Sequence, residues 1–163
     1  MINKPPIIDN IFTSFVSVSF SLGILGVVIA LALKFYVLLP GQVTITGILS
    51  SVDPLITEIY TYYALNGRWP NKADDIPMLQ DDAYIGSYKG RIILDKGSLH
   101  VIVKSSYLAL NGKTISFRKA VFPEQVGGTT FWLCGYKPVP AGMVVDTENR
   151  TNIDKKYMIA RCK

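Results

Sequence analysis

The sequence predicts an α+β fold in which a long N-terminal helix packs on a four-stranded antiparallel sheet, with a cysteine-closed segment after the last strand. Three observations predict this fold: a long uncharged run near the N-terminus, an amphipathic helical pattern after it, and a series of short strand-like segments joined by turn sequences. An antiparallel sheet commonly buries one face, and an amphipathic helix is a suitable partner for that face.

The uncharged run covers residues 10–33 and is bounded by Asp9 and Lys34. As a helix it spans about 36 Å, enough for the hydrocarbon core of a bilayer. No A-x-A-like cleavage site follows, so the run is not typical of a cleaved secretory signal. We therefore predict a short leader at residues 1–9, a transmembrane helix at residues 10–39 and a globular domain at residues 40–163.

The orientation of this anchor is not set by its flanking charges, because Lys4 and Lys34 lie on opposite sides of the run. The cysteines are more informative. The chain has two of them, both beyond the anchor, which is typical of an oxidising compartment such as the periplasm or the cell exterior. The net charge of +5 is spread along the chain and predicts only weak attraction to polyanions.

Four small residues of the anchor recur at helical spacing and share one face: Ser19, Gly23, Gly26 and Ala30. In lipid, small side chains let a second helix approach closely, because packing drives helix association there. We predict a helix–helix contact at this face. Membrane helices are generally rich in small residues, so a chance arrangement is the alternative.

A second, amphipathic helix is predicted after the anchor, with apolar residues on one side at Ile48, Val52, Leu55, Ile56, Ile59 and Tyr63. Pro40–Gly41 is expected to break the helix just past the membrane. Asp53–Pro54 is expected either to kink the second helix or to begin a new one. The helix is expected to end at "NGRWP", where Asn66–Gly67 provides a left-handed cap.

Strand-like segments follow an irregular loop at residues 71–82: "AYIGSY" leading into "RIILD", then "LHVIVKS", "KTISFRKAVF" and "TTFWLCGY". Lys96–Gly97 and Asn111–Gly112 are turn sequences that favour tight hairpins. We therefore predict four short antiparallel strands. Trp69 and Trp132 are expected to be core residues.

The two cysteines, Cys134 and Cys162, are 28 positions apart. If oxidised, they tie the C-terminal segment to the last strand and stabilise the fold by roughly 3.5 kcal/mol in the chain-entropy model. The segment between them is rich in proline and glycine and lacks a regular pattern, so we expect it to depend on this bridge. Two cysteines and His100 make a poor metal site, and we predict neither a metal nor a cofactor.

These segments resemble the type IV pilins of Gram-negative bacteria. "ITEIYTYYALNGRWP", "LNGKTISFRKA", "FWLCGYKPVPAGM" and "NRTNIDKKYMIARCK" are similar to the spine-helix exit, a sheet strand and the disulfide region of that family. The similarity covers residues 42–163 and includes both cysteines. It implies the pilin fold with a Cys134–Cys162 disulfide, and partners among other pilins or the inner-membrane pilus assembly proteins, contacted through the transmembrane helix.

The N-terminus departs from the pilin pattern. Pilins carry a leader that ends in glycine and a glutamate a few residues into the mature chain. Here Asn10 and Ile11 stand where the glycine is expected, and Ser14 or Val16 stands in place of the glutamate. Without that carboxylate, a buried terminal amine lacks a counter-ion, which is costly. The leader is therefore expected to stay on, and the protein not to polymerise in the usual way.

The functional expectation is a non-enzymatic, single-pass inner-membrane protein with its globular domain in the periplasm. One alternative is a genuine filament subunit in extracellular pili, serving adhesion or motility. Another is a pilin-like DNA receptor with a basic surface, which we weigh against ordinary solvated charge; its candidate residues are Arg118, Lys119, Lys137, Lys155 and Lys156. No nucleophile motif is present, and His100 alternates with apolar residues as a sheet residue does.

Overall fold

The computed structural model describes residues 6–79, 84–85, 88–123 and 129–163. The chain separates into two units, Met1–Leu39 and Pro40–Lys163. This boundary coincides with the predicted one between the anchor and the globular domain. Of the predicted leader, residues 1–5 lie outside the described residues, whereas residues 6–9 already belong to the first helix.

The first unit consists of helix α1, Pro6–Leu33, followed by a π-helical segment, Lys34–Leu38. Its apolar side chains are exposed, for example Phe20 at 71% and Val27 at 61%. Among the described residues, the helical stretch Val16–Asn66 is long and apolar enough to cross a membrane, and none of its apolar window is buried inside the protein.

The predicted helix break at Pro40–Gly41 is wrong. Helix α2 spans Leu39–Asn66 and contains both residues. Proline cannot donate the hydrogen bond to the carbonyl four residues before it, at Tyr36. That carbonyl lies in the π-helical segment, whose wider turns are a known way of accommodating such a defect without ending the helix.

One face of α2 contributes to the core of the second unit, as its periodicity predicts: Thr44, Ile45, Ile48, Leu49, Val52, Leu55 and Ile59 are buried. Ile56 and Tyr63 are half-buried. Pro54 lies inside α2, so the alternative of a new helix start at Asp53–Pro54 is wrong. The helix ends as predicted, with Gly67 in the left-handed region at φ 66°.

The sheet consists of β1 (Tyr84–Ile85), β2 (Tyr88–Asp95), β3 (Ser98–Lys104), β4 (Thr114–Ala120) and β5 (Phe131–Cys134). The strands pair in that order and all pairs are antiparallel. The four predicted strands are confirmed as β2 to β5, and the two-residue β1 extends the sheet at the β2 edge. The α+β class is therefore correct.

Strands β3 and β4 are buried on both faces. Leu99 pairs with Phe117 on one face, and His100 pairs with Ser116 on the other; all four are at most 2% exposed. The second face is covered by the chain between Cys134 and Cys162, where Met143 packs in a cluster with Ala120 and Leu133. The polar residues His100, Ser116 and Arg118 on this face are therefore enclosed.

Candidate functional site

The predicted bridge between Cys134 and Cys162 is confirmed. The two residues form a disulfide with a Cα–Cα distance of 4.6 Å. Cys162 is fully buried, and its carbonyl accepts a hydrogen bond of 2.9 Å from the Tyr136 amide. Gly135 has φ 60°, and a Cβ there would lie 2.5 Å from the Cys162 carbonyl oxygen, so only glycine fits this close approach.

The disulfide loop, residues 134–162, makes hydrogen bonds to β4 in addition to its bridge, and its expected dependence on the cysteines stays a prediction. The Asn152 amide donates to the Thr114 carbonyl at 3.1 Å, and the Thr114 amide donates to the Asn152 side chain at 2.6 Å. The Ser116 amide donates to Thr151 Oγ1 at 3.0 Å. The loop therefore supplies β4 with partners beyond the end of β5.

A buried polar layer lies on the sheet face that the disulfide loop covers. His100 Nδ1 lies 2.9 Å from Ser116 Oγ, which also accepts a hydrogen bond from the Arg150 amide. Burial lowers the pKa of His100, and the nearby charges of Arg150 and Arg118 lower it further, against the opposing effect of Asp95. The ring is therefore neutral at pH 7 and packs as a sheet residue, as its strand position predicts.

Arg118 does not belong to an exposed basic surface, so that prediction is wrong for this residue. Its side chain is 8% exposed, and its Nη2 donates to the Lys137 carbonyl at 3.1 Å. Burial lowers the pKa of the guanidinium. The error arises because arginine usually lies at the surface, whereas here the disulfide loop covers this face of β4.

Lys119 is also buried, at 3% exposure, so the same prediction is wrong for it. Its Nζ donates to Asp146 at 2.9 Å and lies 5.1 Å from the centroid of the Trp69 ring. A Cβ on Gly97 would lie within about 3.2 Å of both Trp69 and Lys119. This ion pair connects β4 to the disulfide loop.

The exposed basic residues of the predicted set are Lys137, Lys155 and Lys156. Lys155 Nζ lies 5.3 Å from the centroid of the Tyr136 ring. Lys156 Nζ forms an ion pair with Asp154 at 3.1 Å. With two of its five members buried, the predicted basic surface is reduced to these three lysines.

Trp69 and Trp132, predicted to be core residues, are half-buried. They join a cluster of aromatic rings: Trp69 stacks on Tyr63 with centroids 4.2 Å apart, and Tyr60 makes edge contacts with both Trp69 and Trp132. The Tyr60 hydroxyl donates to the Thr130 carbonyl at 3.1 Å. These contacts attach the C-terminal half of α2 to the residues around β5.

The predicted contact face of α1 is exposed. A Cβ placed on Gly23 or Gly26 would meet nothing within 4 Å. A shallow apolar groove of about 470 Å³ lies on this side and is lined by Ser19, Phe20, Gly23, Ile24, Val27 and Val28. It includes Ser19 and Gly23 but not Gly26 or Ala30. The helix–helix contact itself stays a prediction.

A contact between Gly41 of α2 and Tyr157 was not predicted from the sequence. Gly41, in the first turns of α2, lies against Tyr157, and a Cβ there would be 2.6 Å from Cδ1 of the ring. Tyr157 in turn meets the Tyr107 ring edge-on at 5.8 Å. Gly41 was predicted to help break the helix. Instead it lies inside the helix, and its lack of a side chain leaves room for the Tyr157 ring of the disulfide loop.

A second cleft, of about 280 Å³, lies beside the C-terminal half of α2, with Glu58, Tyr62 and Asp75 among its lining residues. The Tyr62 hydroxyl donates to Asp75 at 3.2 Å. Hydrogen bonds from the amides of Asn71 and Lys72 lower the pKa of Asp75. The Asp75 carboxylate therefore stabilises the loop to which it belongs by accepting these hydrogen bonds. Within the described parts of the chain, no group of three or more His, Cys, Asp or Glu side chains is placed to hold a metal ion.

No protein-family model and no curated protein matches this chain. The features that bear on its function are the sequence motifs, the disulfide loop, the sheet and the long apolar helix α1.

Proposed function

We propose that this chain is a non-enzymatic, membrane-anchored pilin-like protein of the type IV pilus system. The observation that carries the proposal is the Cys134–Cys162 disulfide, which joins the C-terminal segment to the last strand of an antiparallel sheet. The bridge falls where the resemblance to the pilin disulfide region requires it. An N-terminal helix that ends at "NGRWP" and a hairpin at Asn111–Gly112 support the same assignment.

The anchor and the disulfide together support the location. An apolar helix without buried surface in its own unit is suited to lipid, and a buried disulfide is typical of an oxidising compartment. A single-pass protein of the inner membrane, with the second unit in the periplasm, satisfies both conditions.

The residues near the N-terminus support retention in the membrane. A pilin in a filament buries its N-terminal amine among apolar helices, opposite a carboxylate. This chain has uncharged Ser14 and Val16 in that region, and Asn10 and Ile11 where the leader glycine is expected. Polymerisation would bury an unpaired amine or a polar leader, and either is costly. The partners are then other pilins or inner-membrane assembly proteins, reached through the small-residue face of α1.

This role needs no catalytic group. His100, the one histidine of the sequence, is fully buried and bonded to Ser116. It is therefore not accessible to a substrate at the surface.

The intact mass of the protein from its native membrane, with and without reductant, tests the proposal. A full-length mass supports the membrane-retained role. A mass reduced by ten or eleven N-terminal residues and increased by one methyl group contradicts it and supports the alternative of a filament subunit. Reduction should add two hydrogens. An unchanged mass on reduction would show that the disulfide, on which the assignment depends, is absent.

A further inference from the structure

Tyrosine side chains lie near the start of the second unit, where the chain leaves the first unit. Gly41 is two residues beyond Leu39, where the first unit ends, and so lies within about 7 Å of it in any conformation. The Tyr157 ring contacts Gly41, and Tyr107 contacts Tyr157. Tyr157 is buried against the entry point of the chain, and Tyr107, which is half-buried, lies next to it at the surface.

The loop between β3 and β4 extends from these tyrosines. Leu108, next to Tyr107, is 87% exposed, more than the other large apolar side chains that the structure describes. Backbone hydrogen bonds from Leu110 to Tyr107 and from Lys113 to Leu110, each 3.0 Å, keep the loop compact. The exposed leucine is thus held on a structured turn.

The loop between β3 and β4 and the short helix with Tyr157 both carry positive charge. Lys113 is exposed on this loop, and Lys155 and Lys156 are exposed on the short helix that carries Tyr157. Asp154 is the acidic residue of that helix, and it is already paired with Lys156. The net local charge is positive.

This combination matches the chemistry of a bilayer surface. Tyrosine prefers the interface between lipid and water, an exposed leucine gains by entering the acyl boundary, and lysines are attracted to anionic headgroups. We propose that this entry surface, defined as Tyr107, Leu108, Lys113 and Lys155, binds the headgroup layer of an anionic bilayer. The inference rests on the proposed function, because it requires that the first unit spans the membrane.

The test uses the full chain in bilayers with a spin label on Leu108→Cys, after the mass has shown that the native disulfide is intact. Leu65→Cys is the matched control, because Leu65 is 80% exposed and far from the entry surface. It lies 24 residues beyond Gly41 on α2, about 36 Å at 1.5 Å per residue. In vesicles containing phosphatidylglycerol, we expect the label at position 108 to be accessible to oxygen and shielded from a water-soluble nickel chelate. The label at position 65 should remain accessible to the chelate.

The charge requirement is tested with Lys113→Gln combined with Lys155→Gln. Loss of two lysines should reduce the ratio of bilayer-contacting to non-contacting molecules roughly 30-fold. Vesicles of phosphatidylcholine alone, or high salt, should reduce this ratio similarly. If the protein inserts and the label at position 108 is as accessible to the chelate as that at position 65, the inference is wrong while the anchor stands. If the protein does not insert, both the inference and the proposed function fail.

Discussion

The ammonium group of Lys119 on β4 lies 2.9 Å from the carboxylate of Asp146 in the disulfide loop. The lysine is 3% exposed, whereas the aspartate side chain is 47% exposed. The ion pair thus closes the disulfide loop over the sheet at a point far in sequence from the cysteines. It gives the loop an attachment that is independent of the disulfide.

Asp146→Ala should destabilise the protein, because it leaves a buried ammonium group unpaired. We expect the free energy of unfolding to fall by about 1–2 kcal/mol, less than for a fully buried pair because Asp146 is half-exposed. Denaturant unfolding measures the change. Combining it with Lys119→Met should recover most of the loss, and an equally unstable double variant would contradict the assignment of the cost to the unpaired charge.

Gly41→Ala should also destabilise the protein, although alanine favours helices by up to about 1 kcal/mol over glycine. The new methyl group would overlap the Tyr157 ring and would also lie 3.3 Å from the Tyr157 Cβ. This Cβ cannot move unless the backbone of the disulfide loop moves with it. We expect a net loss of about 1–3 kcal/mol, as for overpacked cores. In a Tyr157→Ala background the same change should become stabilising. A loss that persists in that background would show that the ring is not its cause.

Replacing both cysteines by serine should lower the free energy of unfolding by roughly 3.5 kcal/mol without releasing the whole loop. The hydrogen bonds between β4 and residues 149–152 do not involve the cysteines. Hydrogen exchange should show loss of protection near the C-terminus and retained protection of the amides of Ser116 and Asn152. Equal loss at all of these amides would show that the bridge alone holds the loop.

His100 should make stability depend on pH. Its pKa is lowered in the folded protein and is about 6.5 in the unfolded chain, so the unfolded state binds more protons between these values. The stabilisation is complete above about pH 6.5 and is lost as the pH falls toward the folded pKa, by at most about 1.4 kcal/mol per pH unit. Unfolding measured at several pH values should show a weaker dependence in His100→Gln than in the wild type. The same slope in both would assign the effect to the carboxylates.

Replacing both Gly23 and Gly26 by leucine should weaken association with a membrane partner, because leucine side chains fill the face that a second helix would approach. Co-purification from native membranes measures the association. Ser21→Leu is the matched control, since Ser21 lies about 200° around the helix from Ser19. Unchanged co-purification of the glycine variant, or an equal loss in the control, would contradict the contact face.

Local sequence patterns predicted most of the fold. Helical periodicity identified the buried face of α2, and the turn sequences at Lys96–Gly97 and Asn111–Gly112 located the hairpins. These signals act within a few residues, because backbone preference and side-chain alternation are local properties. The resemblance located the disulfide, and the structure confirms the bridge.

The burial of β4 was not predictable in the same way. In "TISFRKA", the polar residues Thr114, Ser116 and Arg118 alternate with apolar ones, which suggests that their face of the strand meets solvent. The disulfide loop covers that face and encloses Arg118. Lys119 points to the opposite face and is enclosed by its contacts with Trp69 and Asp146. These neighbours are distant in sequence. Residue type alone could not indicate this, because lysine and arginine are rarely buried without a partner.

The sequence by itself determined the long apolar helix, the order of helices and strands, the hairpins and the cysteine pair, since each is encoded in a short stretch of residues. The tertiary structure decided which polar groups are enclosed, why Gly41 is needed inside a helix, and which lysines remain at the surface. The physical reason is that these properties depend on which segments pack against each other. The chain between Cys134 and Cys162 covers residues that precede it by tens of positions, and the energy of a buried charge is set by those neighbours.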